Sequence, residues 1–235
     1  MGREEMQLRR LTSEDVPEVA ALHLKAFPQF FLSSLGERFL REFYWGLSAD
    51  PASICYVAKV DGKLGGFVAG SAQPGGTYRR LVKARFLKLF VATGLAVIRR
   101  PLIGLRLVRT FAARTSSAGQ KDTAELMSIA VDPAQQGRSI GQALIVEFVG
   151  AAGRAGAQRI VLTTDRAQNS RVNAFYALQG FRLRQWFTTR EGREMNEYEM
   201  EISQRAGRPV LNELENQPKA GAGVTCAAAA TREEQ

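Results

Sequence analysis

The chain has 235 residues, 45% of them hydrophobic, which is enough for one α/β domain with appendages. Its formal net charge of +9 is unevenly spread: Gly62 to Lys121 contains no Asp or Glu, so the rest is slightly acidic and the chain does not read as a general polyanion binder. One histidine and two cysteines, Cys55 in an apolar run and Cys226 in an Ala/Gly-rich tail, argue against a disulfide framework and a zinc site, and a reducing cytoplasm fits.

Residues Met1 to Arg10 are polar and lack the apolar core of a secretory signal, which argues against export. Met6 to Arg10 reads as a strand, after which Thr12 or Ser13 caps a helix carrying Val16, Val19, Ala20, Leu22 and Leu24. His23 lies on the apolar flank of that helix and reads as structural. Leu35 to Leu47 places Phe39, Leu40, Phe43, Tyr44 and Leu47 at helical spacing. Strands Ser53 to Val60 and Leu64 to Ser71 flank Asp61-Gly62-Lys63, a short-range hairpin signal. A basic insertion, 75–121, follows with helical patterning in Tyr78 to Ile98 and Leu102 to Ala113. Its apolar run Phe86 to Ile98, stopped by Arg99-Arg100-Pro101, falls short of the roughly 20 residues that cross a bilayer.

Ala124 to Val131 reads as a strand leading through Asp132-Pro133 to a helix that begins near Arg138, with Ile140, Ala143, Leu144 and Phe148 on one face and Gly153 and Gly156 closing it. Arg159 to Thr164 is a strand of the buried type and Ser170 to Gln179 a helix ending at Gly180. Phe181 to Thr189 and Glu194 to Ile202 form a hairpin around Glu191-Gly192. The expected organisation is one domain over 1–203 and a tail over 204–235.

The most informative segment is Gln135-Gln136-Gly137-Arg138-Ser139-Ile140-Gly141, set between a strand and a helix. A glycine turn that opens a helix gathers unpaired backbone N–H groups and the positive end of the helix dipole, which suits a phosphate. An ordinary tight turn has the same glycines. What adds weight is that the segment resembles motif A of the Gcn5-related N-acetyltransferase (GNAT) superfamily, with Ser139 where the family normally has glycine. Serine supplies its N–H as long as the turn does not require positive φ. Glu125-Leu126-Met127-Ser128-Ile129-Ala130-Val131-Asp132-Pro133 resembles the family's fourth strand. Asn169 to Phe181 is similar to its Asn-x-x-Ala-x-x-Phe-Tyr-x-x-x-Gly-Phe segment, with Val172 for Ala.

The resemblance implies a GNAT fold: an α/β architecture with a mixed central sheet and flanking helices, here with a basic helical insertion between the third and fourth strands. It also implies acetyl-CoA as co-substrate, no metal, and transfer of acetyl to a primary amine. On that reading Ser128, Ile129, Ala130 and Val131 border the pantetheine arm and thioester. Gln136, Gly137, Arg138, Ser139, Ile140 and Gly141 hold the pyrophosphate, and Asn169 and Tyr176 complete the coenzyme site. Transfer requires a neutral amine, stabilisation of the developing oxyanion and a proton for the departing thiolate. Tyr176 is the candidate donor of that proton, or else a core aromatic. Glu125 is the candidate base, or else an exposed strand residue or a partner of an insertion arginine. Asn169 orients the coenzyme or its loop, or caps a helix.

The acceptor is open: a small-molecule amine such as a nucleotide-linked amino sugar, or a peptide N-terminus. The basic residues of the insertion alternate with Phe86, Leu87, Leu89, Phe90, Leu102, Leu105, Leu107 and Val108. They fit a lid for an anionic acceptor, a helix pair lying on the anionic inner membrane face, or a homodimer element. Nucleic acid fits poorly, since no series of stacking aromatics accompanies the charges. The rival from another class is a non-catalytic membrane-binding module on the same fold.

Overall fold

The computed structural model describes residues 6–28, 30–81, 83–84, 122–189 and 192–202. Most of the insertion expected over 75–121 and the tail expected over 204–235 lie outside the described residues; residues 74–81 are helical. The other elements run β1 (Met6–Arg10), α1 (Val16–Ala26), α2 (Phe31–Ser34), α3 (Glu37–Ala49), β2 (Ser53–Val60), β3 (Lys63–Ser71), β4 (Thr123–Val131), α4 (Ile140–Arg154), β5 (Arg159–Asp165), α5 (Ser170–Leu178), β6 (Arg182–Thr188) and β7 (Glu194–Glu201). The seven strands form one mixed sheet in the order β1-β2-β3-β4-β5-β7-β6. Among the described residues only β4 and β5 pair in parallel; every other neighbouring pair is antiparallel.

Local chemistry sets the joints. Val60 pairs with Lys63, so the β2–β3 turn is Asp61-Gly62, both at positive φ (49° and 77°), the arrangement a two-residue hairpin needs. Lys63, expected in the turn, belongs to β3 instead. The long helix, expected to begin near Arg138, starts at Ile140, with Ser139 in the N-cap position in a left-handed conformation. Gly156, at φ 86°, ends α4, with the Ala157 amide donating to the Ala152 carbonyl at 3.0 Å.

Each face of the sheet has its own core. Against α4 and α5 pack Ala124, Leu126, Ile129 and Val131 of β4 with Ile160 and Leu162 of β5. Against α1 and α3 pack Val57, Phe67, Ala69 and Ala130, with Phe39, Phe43 and Tyr44 fully buried. The large apolar side chains on both faces supply the main drive for folding. Cys55 is buried as a free thiol whose pKa burial pushes up to about 12.

Two buried titratable groups on the α1 side were read only in part from the sequence. Burial alone would raise the Asp15 pKa, but the Arg9 guanidinium at 2.6 and 2.7 Å, together with the Thr12 amide and hydroxyl at 3.0 Å, holds it at about 2. Thr12 thus meets Asp15 in a capping box at the start of the first helical segment. His23 is 2% exposed, pairs through Nδ1 with the Tyr44 hydroxyl at 2.7 Å, and burial lowers its pKa to about 4.

A histidine kept neutral by the fold and charged when unfolded stabilises the protein above its unfolded pKa of 6.5, and that stability drains away as pH falls toward 4. Asp15 acts lower, losing its contribution between 3.8 and about 2. Urea denaturation followed by circular dichroism should therefore show stability falling by about 2 kcal/mol between pH 7 and roughly pH 4.5 from His23 alone. His23→Asn, which keeps an acceptor near the Nδ1 position but does not titrate, should remove most of that slope.

Candidate active site

The site begins with an interruption of the sheet. Along β3 and β4 the register runs Ala69 to Ser128 and then Gly70 to Leu126, so Met127 is an extra residue, a bulge. Gly70 permits it: a Cβ there would overlap the Glu125 carbonyl oxygen and the Phe148 ring. One residue before the bulge the parallel ladder also ends, since β4 and β5 pair from Thr123–Arg159 only to Leu126–Leu162. Beyond that point β5 stays with β7 as far as Asp165, while β4 continues with β3 to Val131. The strands diverge at their carboxyl ends, leaving the β5-facing backbone of Met127 to Val131 without a strand partner among the described residues. In open α/β sheets that is where ligands bind.

The turn into α4 adjoins this opening. The Asp132 carboxylate accepts from the Ala134 amide at 2.9 Å and from Lys25 Nζ at 3.1 and 3.3 Å, which pins the exit of β4. Gly137 sits at φ 80° with open space where a Cβ would project, and Ser139 at φ 57°, ψ 15°. The turn therefore does require positive φ at Ser139. The first amides of α4, which have no acceptor within the helix, lie at the carboxyl end of β4. A Cβ at Gly141 would meet Phe175 at 3.4 Å and Val131 at 3.6 Å, ordinary contacts, so packing alone does not demand glycine there. A small cavity of about 170 Å³, lined by Met6, Val60, Arg138 and Ile140, lies on the β1–β2 side of the same turn.

The far bank is held by a polar network. Asn169 is buried; its Nδ2 donates to Thr164 Oγ1 and to the Asp165 carbonyl, both at 2.9 Å, and its side chain does not cap α5. Asn173 Nδ2 donates to the carbonyls of Asn169 (2.8 Å) and Asp165 (3.2 Å), while its Oδ1 accepts from Asn196 Nδ2 at 3.1 Å and the Tyr198 hydroxyl at 3.0 Å. Asn173 and Thr164 were not singled out in the sequence. The i, i+4 spacing of Asn169 and Asn173 on one helix face is the only hint they leave there.

The Tyr176 ring is buried on the α4/α5 face, 5.5 to 6.0 Å from the rings of Phe175, Phe181 and Tyr198. Glu125 lies in the closed part of β4, between Ser71 and Val161, and strand alternation turns it to the opposite face from Ala124 and Leu126. The expected acid and base are thus on opposite sides of β4. On the Glu125 side, Ser128 and Ala130 face α1 and α3, where the Ser128 hydroxyl lies beside that of Tyr44; burial raises the Tyr44 pKa and Ser128 opposes it.

The family model for the acetyltransferase (GNAT) family matches residues 16–181. The chain belongs to the GNAT acetyltransferase family. Among solved structures it is similar to the N-acetyltransferase from Staphylococcus aureus Mu50, with 14% identity, TM-score 0.54, and 85% of this chain and 99% of that chain covered. The ribosomal-protein-S18-alanine N-acetyltransferase from Escherichia coli gives 18% identity and TM-score 0.51 over 85% and 95%. The yncA structure from Salmonella typhimurium, which contains its cofactor acetyl-CoA, gives 15% identity and TM-score 0.53 over 87% and 97%. At these identities the likeness shows the fold. No curated protein matches the sequence.

A GNAT enzyme uses acetyl-CoA as its donor, and this opening fits it. The unpaired β4 backbone has donors and acceptors for a chain of amides, and the helix N-terminus suits its diphosphate. Among the described residues no group of three or more His, Cys, Asp and Glu is placed to hold a metal ion, and no helix is long and apolar enough to cross a membrane.

The left-handed Ser139 yields a test of the turn. Ser139→Gly should stabilise the protein by about 0.5 kcal/mol, the αL strain relieved less the greater entropy of glycine in the unfolded chain. Ser139→Val, β-branched at the same φ, should lose about 1 kcal/mol or more. Urea denaturation midpoints of the two variants measure both.

Proposed function

We propose that the chain is an N-acetyltransferase that moves acetyl from acetyl-CoA to the primary amine of a small molecule, with an amino sugar as one candidate class. The observation that carries this is the convergence, at the carboxyl end of β4, of an unpaired strand edge and the N-terminus of α4. A small acceptor is favoured over an extended peptide because Phe30, between α1 and α2, touches Arg193, between β6 and β7, which ties two loops together across the α1/α3 side of the opening.

Acetyl-CoA supplies the acetyl thioester. In our reading the backbone of Ser128, Ile129, Ala130 and Val131 lies along its pantetheine arm, with the Ile129 amide or a neighbour directed at the carbonyl oxygen. The amides from Gln136 to Gly141 hold the diphosphate, and Arg138 adds positive charge there. Asn169, through its bonds to Thr164 and Asp165, keeps the β5 bank at the right separation. Glu125 takes a proton from the incoming ammonium, directly or through water, on the α1/α3 face, while Tyr176 Oη gives a proton to the sulfur from the α4/α5 face. Opposite faces suit opposite tasks, because the amine attacks from one side of the carbonyl and the thiolate leaves from another.

The proposed transferase domain covers 1–203, with the insertion at 75–121 and the tail at 204–235. The contexts of Cys55 and Cys226 support a cytoplasmic enzyme, and the basic, acid-free stretch from Gly62 to Lys121 supports contact with the anionic inner membrane face, or with a second copy of the chain, through that insertion.

Calorimetric titration with acetyl-CoA and longer acyl-CoAs, beside a thiol-release assay over amino sugars, polyamines and N-terminal peptides, tests the reading. Micromolar acetyl-CoA binding with amine-dependent thiol release is the expected result, and absence of binding to every acyl-CoA would sink it. Tyr176→Phe should lower turnover by about 100-fold while acetyl-CoA affinity changes by less than about threefold.

A further inference from the structure

On the α1/α3 side of the opening the Arg193 guanidinium is held between a carboxylate and an aromatic ring. Arg193 Nη2 donates to both Asp165 oxygens, at 2.6 and 2.7 Å, and Nε donates to Oδ1 at 3.2 Å. The guanidinium carbon stands 4.8 Å from the centre of the Phe30 ring. A carboxylate on one side and an aromatic face on the other are the two elements that recognise an organic cation. The Asp165 side chain is 16% exposed, so its charge is largely withdrawn from water and is compensated here by Arg193, which is 33% exposed.

The place matters as much as the chemistry. Asp165 ends β5 just past the divergence from β4, and its cross-strand partner is Met195 of β7. Alternation puts both on the face opposite Ile160 and Leu162, the face of Glu125. Inward of the half-buried Phe30 the aromatic wall is core: Phe27 stands edge-on at 5.2 Å, His23 at 4.9 Å from Phe27 and Tyr44 at 5.7 Å from His23, all three buried, so Phe30 is the member of the wall that a ligand can touch. Tyr44 stands edge-on to Phe67 of β3 at 5.4 Å. The wall therefore leads from the outer cation to the sheet beside β4.

We infer that Asp165 and the Phe30 ring form a cation subsite for the acceptor, filled in this state by the Arg193 guanidinium, and that preferred acceptors are small amines bearing a second positive charge. This rests on the transferase reading above, with the acceptor arriving on the Glu125 face. The charge bound at Asp165 anchors the molecule while its other amine reaches from the β5 edge of the opening toward β4. Arg193 leaves the subsite when such an acceptor enters, so it sets a threshold that a singly charged amine does not overcome.

The direct test needs no knowledge of the acceptor. Methylguanidinium chloride is titrated calorimetrically, at low ionic strength, into the intact chain, Arg193→Ala, and Arg193→Ala combined with Asp165→Asn or with Phe30→Leu; circular dichroism confirms the fold, and Arg193→Gln replaces Arg193→Ala where the alanine variant does not fold. Saturable binding to Arg193→Ala, at least about tenfold tighter than to the intact chain or to the Asp165→Asn double variant, and weakened about threefold by Phe30→Leu, is expected. Equal binding to all of them, or none to folded Arg193→Ala, would overturn the subsite. Acetyl-CoA titrated into the same proteins separates the two readings: undisturbed acetyl-CoA binding with no methylguanidinium effect removes the subsite alone, whereas failure of acetyl-CoA to bind the intact chain removes the transferase proposal.

Discussion

A parallel ladder that stops half-way is the constraint on which the rest of this molecule depends. Backbone donors and acceptors withdrawn from pairing destabilise a fold unless water or a ligand meets them, so a strand is left open only where its flanks are held. Both flanks of this opening are held by side chains. On the β4 bank, Lys25 of α1 grips Asp132 at the strand's exit, and the Met127 bulge is accommodated by glycine at position 70. On the β5 bank, Asn169 and Asn173 bind the backbone of Asp165 and reach β7 through Asn196 and Tyr198. Buried amide networks of this kind hold geometry because each member, once left unpaired, would destabilise the folded state by more than its bond contributes.

The divergence also divides labour between the two faces of the sheet. The α4/α5 face contains the helix N-terminus, whose first amides suit an anion, and the buried Tyr176 ring. The α1/α3 face contains Glu125, the aromatic wall from Tyr44 to Phe30 and the Asp165–Arg193 pair. Among the described residues the two faces meet at β4 beyond Leu126, where its ladder with β5 has ended.

Much of this was legible in the sequence because it is local. Asp61-Gly62 between apolar runs specifies a two-residue turn, the alternation in β4 marks its faces, and Gln136 to Gly141 before an amphipathic run marks a helix N-terminus. What was not legible depends on residues distant in sequence. Nothing around His23 reveals that Tyr44, on another helix, will pair with it, and Asn196 is one polar residue of a strand until the fold brings it to Asn173. Arg193 and Phe30 are ordinary loop residues until the fold brings the two loops together. The Met127 bulge leaves no mark either, since a strand with one extra residue reads as a strand.

Ser139 shows how a departure from a family pattern is absorbed. Glycine at that place serves a backbone that must turn left-handed, and the structure retains the left-handed turn with serine in it. A single αL serine is strained by about 1 kcal/mol, less than the loss of a well-packed core side chain. Ile140 beside it is buried over Gly65 and Gly66 of β3, and Leu144, one turn on, packs over Gly66 as well, so the helix stays in register and imposes the turn on the residue before it. The direction of the first α4 amides is therefore set by core packing, and the identity of the N-cap residue affects its strain more than its aim.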